Sequence, residues 1–180
     1  MRKLSFIHLV SLLLLISFCN QKQEASKNDY IIKNRNFNFQ NKLVNKFNQR
    51  IHVTTTDFYK LFVYENSEGT NDSLKFFKNN QVYFNSVFLK QIDAKIIKFN
   101  NVDLPLGKYY FENQKDYRGN HIFFINNRDG LIFSEALNSG FMTEYDTEKY
   151  HNLHKAIALR QLDFKSGNFE LQFATMKYPE

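Results

Sequence analysis

Ile51-His-Val-Thr-Thr-Thr-Asp-Phe-Tyr-Lys-Leu-Phe-Val-Tyr-Glu65 carries the strongest structural signal in the chain. Its β-branched and aromatic residues fit the pleated, half-buried surface of a sheet better than a helix, where their χ1 freedom is lost. The run predicts a strand across 51–65. Asn66-Ser-Glu-Gly-Thr-Asn-Asp72 then breaks it with turn-forming residues.

The same rhythm continues on the C-terminal side. Ser73–Lys78 and Gln81–Asn85 flank Asn79-Asn80 and predict a β-hairpin, because Asn tolerates the left-handed backbone that a two-residue turn needs. Ala94–Phe99 and Lys108–Glu112 are further strands, joined by Asn100–Gly107 as a connection. Gln114–Asn120 reads as a loop. His121–Ile125 and Leu131–Ser134 flank Asn126-Asn-Arg-Asp-Gly130, whose Asp-Gly marks a hairpin. Ala156–Phe164 and Phe169–Thr175 predict a last hairpin. Phe169, Leu171 and Phe173 alternate with Glu170 and Gln172, so one face is buried and the other wet.

Helical spacing is sparse. Leu43, Val44 and Phe47 share a helical face and predict a short helix over 42–47. Tyr150, Leu153 and Ile157 predict a second, capped by Asp146 or Thr147. The expected fold class is mainly β: an antiparallel sandwich or barrel of eight to ten hairpin-linked strands with one or two short helices. A lipocalin-like barrel is one such solution.

The N-terminus differs in kind. Arg2 and Lys3 precede Leu4–Phe18, a mostly apolar run with one His and no Asp, Glu, Lys or Arg, and the chain's single cysteine, Cys19, ends it. A charged start followed by roughly 7–15 apolar residues is the build of a secretory signal. A membrane-spanning helix needs about 20. Ile16-Ser-Phe-Cys19 resembles the lipobox of bacterial lipoproteins, with Phe18 standing where Gly, Ala or Ser is usual. The resemblance covers about the first 20 residues. It implies cleavage before Cys19 and acylation of its thiol, so the lipid bilayer is the first expected partner. Asn20, rather than Asp, follows the cysteine, which in that family points to the outer membrane. The expected organisation is a signal peptide over 1–18, a polar flexible tether over 19–29 and one β-rich domain over 30–180.

Composition narrows the functions. Lys and Arg number 24 against 18 Asp and Glu, a net charge of +6. Removing Arg2 and Lys3 leaves about +4, spread without a basic run, so nucleic acid is not an expected partner. One cysteine, once acylated, leaves no disulfide, so packing must hold the domain together. The 20 Phe and 10 Tyr supply that packing. No cofactor is expected, and no phosphate loop or nucleophile elbow occurs. His151 and His154, at i and i+3 beside Glu144, Asp146 and Glu148, are the one metal-like spacing, and a solvated helix face accounts for them as well. Asp129 suits a turn better than a calcium loop. Glu112, Asp116, Glu135 and Glu144 are acids of the type that sugar hydrolysis pairs, at separations that spacing does not give. Tyr109, Tyr110, Tyr117, Tyr145 and Tyr150 offer either a binding surface or core packing. The leading expectation is a membrane-anchored, non-enzymatic binder of a protein or ligand. The alternatives are a carrier of a small apolar molecule and a hydrolase or metalloenzyme.

Overall fold

The computed structural model describes residues 25–38, 40, 42–67, 69–112 and 119–165. The strands are β1 (Ser26–Phe37), β2 (Leu43–Thr55), β3 (Tyr59–Glu65), β4 (Asn71–Phe77), β5 (Val82–Phe84), β6 (Val87–Phe88), β7 (Lys90–Phe99), β8 (Val102–Phe111), β9 (His121–Asn126), β10 (Gly130–Ala136) and β11 (Met142–Glu144). One helix, α1 (Thr147–Ala158), follows. All strand pairs are antiparallel, in the order β6-β5-β4-β3-β2-β1-β11-β10-β9-β8-β7, which curls into a nearly closed barrel. The expected mainly-β class holds, and the barrel is the form it takes.

Local chemistry explains where several elements depart from expectation. The run 51–65 is two strands. Thr56 splits it, because its hydroxyl accepts the backbone N–H groups of Phe58 and Tyr59 and turns the chain. Leu43–Phe47 is strand, not helix: it extends β2 along β1, pairing Leu43 with Phe37 and Phe47 with Asn34. Most of these residues are exposed, so their helical spacing has no helix core to serve. β1 begins at Ser26, so the last four residues of the expected tether belong to the sheet.

The connection expected over 100–107 is only Asn100-Asn101, both at positive φ, and β8 starts at Val102. Pro105 is tolerated inside β8 because β9 pairs only from Gly107 onward. Asn126 Nδ2 donates to the Pro105 carbonyl at 2.5 Å on that side. The hairpin at 78–80 turns through three residues rather than two, with Asn80 left-handed at φ 64. Ala156–Phe164 is not a strand: α1 runs to Ala158 and the residues to 165 are irregular. Phe169–Thr175 lies outside the described residues.

Burial divides the molecule into two cores. The inner one joins opposite walls of the barrel through Ile51, Phe62, Leu74, Phe84, Phe123 and Leu131. Phe84 and Phe123 meet across it with ring centroids 4.8 Å apart. The outer one lies where α1 covers the other face of β8–β10, through Leu106, Ile122, Phe124, Ile132, Leu153 and Ile157. Successive side chains of a strand point to opposite faces, so β9 feeds Phe123 and Ile125 inward and Ile122 and Phe124 outward. Each such side chain contributes about 1.5–3 kcal/mol by leaving water.

The chain itself joins the two edges of the sheet. β6 and β7 are edge strands, yet only Leu89 separates them. Leu89 is 1% exposed in the inner core and its N–H donates to the Val82 carbonyl at 2.8 Å. The barrel is pinned shut there and open further along β7. Leu89→Ala should cost about 2–5 kcal/mol in urea unfolding. Phe88→Ala, at a side chain 54% exposed, should cost under about 1 kcal/mol. Equal losses would show that the crossing is not part of the core.

Candidate functional site

Beyond Leu89 the inner face of the β7–β8 hairpin diverges from the β4–β5 hairpin and leaves a cleft of about 400 Å³. Side-chain size creates it. Ala94 pairs with Gly107, so two small residues face each other where the rest of the inner face carries Phe and Tyr, and beyond them Ile96 pairs with Pro105. Phe76 and Val82 form the opposite wall, and Ile125 lines the space from β9. Ile96 is 72% exposed although it sits on the face that elsewhere holds the inner core. A Cβ at Gly107 would meet the Tyr109 ring, which lies over it, so a larger residue here would displace that ring. Burial raises the Tyr109 phenol above its ordinary value, so it stays protonated as a hydrogen-bond donor at the wall. Gln91, Asn80 and Asn127 give the mouth a polar rim. Lys95 lines it as well, and a space of such mixed lining can hold the apolar part of a small amphipathic molecule.

The expected histidine pair does not assemble. His151 is exposed, with Nδ1 3.3 Å from an Arg35 guanidinium nitrogen. His154 is fully buried and turned the other way, with Nε2 3.0 Å from the Ile132 carbonyl. The solvated helix face expected as the bland reading fails for His154 as well, because α1 packs that side on β10. Among the described residues no cluster of three or more His, Cys, Asp or Glu is arranged to hold a metal ion. Burial pushes His154 down to about 3, with the Arg35 and His151 charges adding to the effect and hydrogen bonds to Ile132 and Tyr145 opposing it. Glu144 Oε2 lies 3.8 Å from its Nδ1.

The acids considered for hydrolysis are committed elsewhere. Arg160 binds both oxygens of Glu135, at 2.9 and 2.7 Å. Arg35 holds buried Glu144 at 2.6 Å. Glu112 is exposed at the end of β8, and Asp116 and Tyr117 lie outside the described residues. Asp129 is a turn residue, as expected. Asn126 Oδ1 accepts the N–H groups of Arg128 and Asp129, and Gly130 completes the hairpin at φ 85. Asp129 also receives Lys149 Nζ and the Tyr150 hydroxyl, each at 2.6 Å, which ties the start of α1 to this turn. Burial works to raise the Asp129 carboxyl, but the hydrogen bonds from Lys149, Tyr150 and Arg128 outweigh it and hold it below its ordinary value.

Of the tyrosines singled out, Tyr109 lines the cleft, Tyr110 and Tyr150 pack in the outer core, and Tyr145 packs against Tyr64. His52 bridges Asp29 and Glu65, and His121 stacks on Phe123 with centroids 5.6 Å apart. Sequence reasoning missed the cleft walls Ala94, Ile96 and Gly107. Their signal was the small side chains themselves, Ala and Gly interrupting strands otherwise rich in Phe, Tyr and Ile. It also missed Lys108, which is buried and donates to the Lys165 carbonyl at 3.0 Å.

No protein-family model matches this chain, and no curated protein does. Among solved structures, it is similar to a proposed outer membrane lipoprotein-sorting protein domain from Vibrio parahaemolyticus at 9% identity and a TM-score of 0.22, over 66% of this chain and 83% of that one. Similarity at this level assigns neither a family nor a function.

Buried His154 makes stability pH-dependent. The unfolded chain takes up its proton near pH 6.5 and the folded chain only near 3. The stability contributed by neutral His154 is therefore complete above pH 6.5 and is lost as pH falls towards 3. Between pH 7 and 4 the wild type should lose about 3 kcal/mol more than His154→Gln, at about 1.36 kcal/mol per unit. Parallel pH profiles in urea melts would contradict the assignment.

Proposed function

We propose that this protein is a lipid-anchored binding protein of the cell envelope, held at the outer membrane through acylated Cys19, whose barrel takes the apolar part of a small amphipathic molecule. The cleft between the β4–β5 and β7–β8 hairpins carries this reading. Its volume of about 400 Å³ falls within the range of small-molecule sites, roughly 300–1,000 Å³. Phe76, Val82, Ile96, Tyr109 and Ile125 supply its apolar lining, and Asn80, Gln91, Lys95 and Asn127 supply polar groups beside them. The rest of the inner core is filled, so an occupant enters from the open seam rather than down the barrel axis.

The address rests on the N-terminal segment. Diacyl or triacyl modification of Cys19 would supply the two or more chains that stable anchoring takes. A binding role also accords with the acids: Glu135 and Glu144 neutralise arginines instead of facing a cavity.

Two measurements test the reading. Labelled palmitate should enter the wild-type chain and not Cys19→Ser. Unlabelled wild-type protein would end the anchor reading. The full chain bearing Cys19→Ser, in detergent-free buffer, should bind N-phenyl-1-naphthylamine saturably at one site. Ala94→Trp fills the cleft from an exposed position and should weaken that binding by about tenfold or more, or about 1.4 kcal/mol, at unchanged Tm. Absent binding, or binding indifferent to Ala94→Trp, would end the ligand reading.

A further inference from the structure

The open end of the barrel has a fixed relation to Cys19. Ser26 pairs with Thr55, Thr55 with Lys60, Lys60 with Phe76 and Phe76 with Val82, so these residues form one row across β1–β5. Just beyond that row come the β2–β3 turn with Phe58, the β4–β5 turn with Lys78, and the mouth of the cleft at Asn80 and Asn127. The Lys78 N–H donates to the Phe58 carbonyl at 3.2 Å, joining the two turns. Phe58 is 73% exposed, Ile96 72% and Val102 52%, so the cleft opens among large uncovered apolar side chains. Exposed Lys78 lies in the β4–β5 turn and half-exposed Asp57 precedes Phe58 in the β2–β3 turn, so the charges here are of both signs.

Only six residues lie between Cys19 and Ser26, which makes seven Cα–Cα steps. At no more than 3.6 Å per step the seven steps span at most about 25 Å. The opposite end carries its own exposed apolar residues, Leu43, Val44 and Phe141. It is out of reach. β2 alone is 13 residues, or about 40 Å at 3.3 Å per residue, and strand tilt of roughly 35–45° still leaves about 30 Å.

We propose that the end of the barrel bearing Phe58 and the cleft mouth rests on the bilayer, with Phe58 in the interface, so that the cleft opens onto membrane lipid. This rests on acylation of Cys19. Exposed apolar side chains such as Phe58 gain by burying into the headgroup boundary of a membrane. The cleft's occupant is then the acyl chain of a lipid, drawn from the layer on which the domain sits.

The chain has no Trp, so single-Trp variants report position without background. Phe58→Trp and Phe141→Trp place the probe at opposite ends, each at an exposed aromatic site. The acylated full chain is reconstituted into phosphatidylethanolamine–phosphatidylglycerol vesicles containing dibrominated acyl chains. Both variants should float with the vesicles. Emission of Phe58→Trp should be blue-shifted and quenched severalfold, whereas Phe141→Trp keeps its intensity. Equal quenching, quenching of Phe141→Trp alone, or no quenching in floated protein would overturn the orientation. Protein that fails to float would overturn it too, by removing the anchor. Probe binding in detergent-free buffer is independent of both outcomes, so a failure here leaves the ligand reading separately tested.

Discussion

The structure depends on a sheet whose two edges meet at one point. Eleven strands curl far enough for β6 and β7 to be joined by Leu89, and the buried Leu89 side chain locks that junction into the inner core. Past it, β7 pairs with β8 alone among the described strands, while β4 and β5 turn away. Backbone pairing is satisfied in the closed part. The open part is left with a strand edge and an apolar face. A cleft follows directly, and the small residues Ala94 and Gly107 keep side chains from filling it.

The opposite wall, β8–β10, is buried on both faces, inward by the aromatic core and outward by α1. The helix is tied at its start by Lys149 and Tyr150 to Asp129, and Arg160, just past its end, grips Glu135. These contacts fasten the helix to β10 and to the β9–β10 turn. Charge is used the same way. Buried Glu144 and Glu135 each carry an arginine, and His154 is kept neutral by burial rather than paired.

Much of the architecture was legible in the chain. Strands rich in Phe, Tyr and Ile, the Asp129-Gly130 turn and the Tyr150–Leu153–Ile157 helix all follow from local chemistry that tertiary structure leaves intact. The misread elements share a cause. Leu43–Phe47 has helical spacing, but a long pairing partner in β1 overrode it. Thr56 ended a strand through one hydroxyl, a detail that propensity averages away. Pro105 looked like a break because its tolerance depends on where β9 starts pairing, a fact of topology. His151 and His154 are one turn apart in α1, yet the packed sheet separates them into solvent and core. The cleft was not legible, because Ala94, Ile96, Pro105 and Gly107 acquire meaning only once β7 and β8 are paired in register.

The central claim is that the uncovered face of the β7–β8 hairpin holds a ligand. Native mass spectrometry of the protein gently extracted from its membrane tests it most directly. The account predicts a noncovalent adduct of lipid mass on the wild type that is absent from Ala94→Trp. A bare wild-type mass, or the same adduct on both proteins, would contradict it.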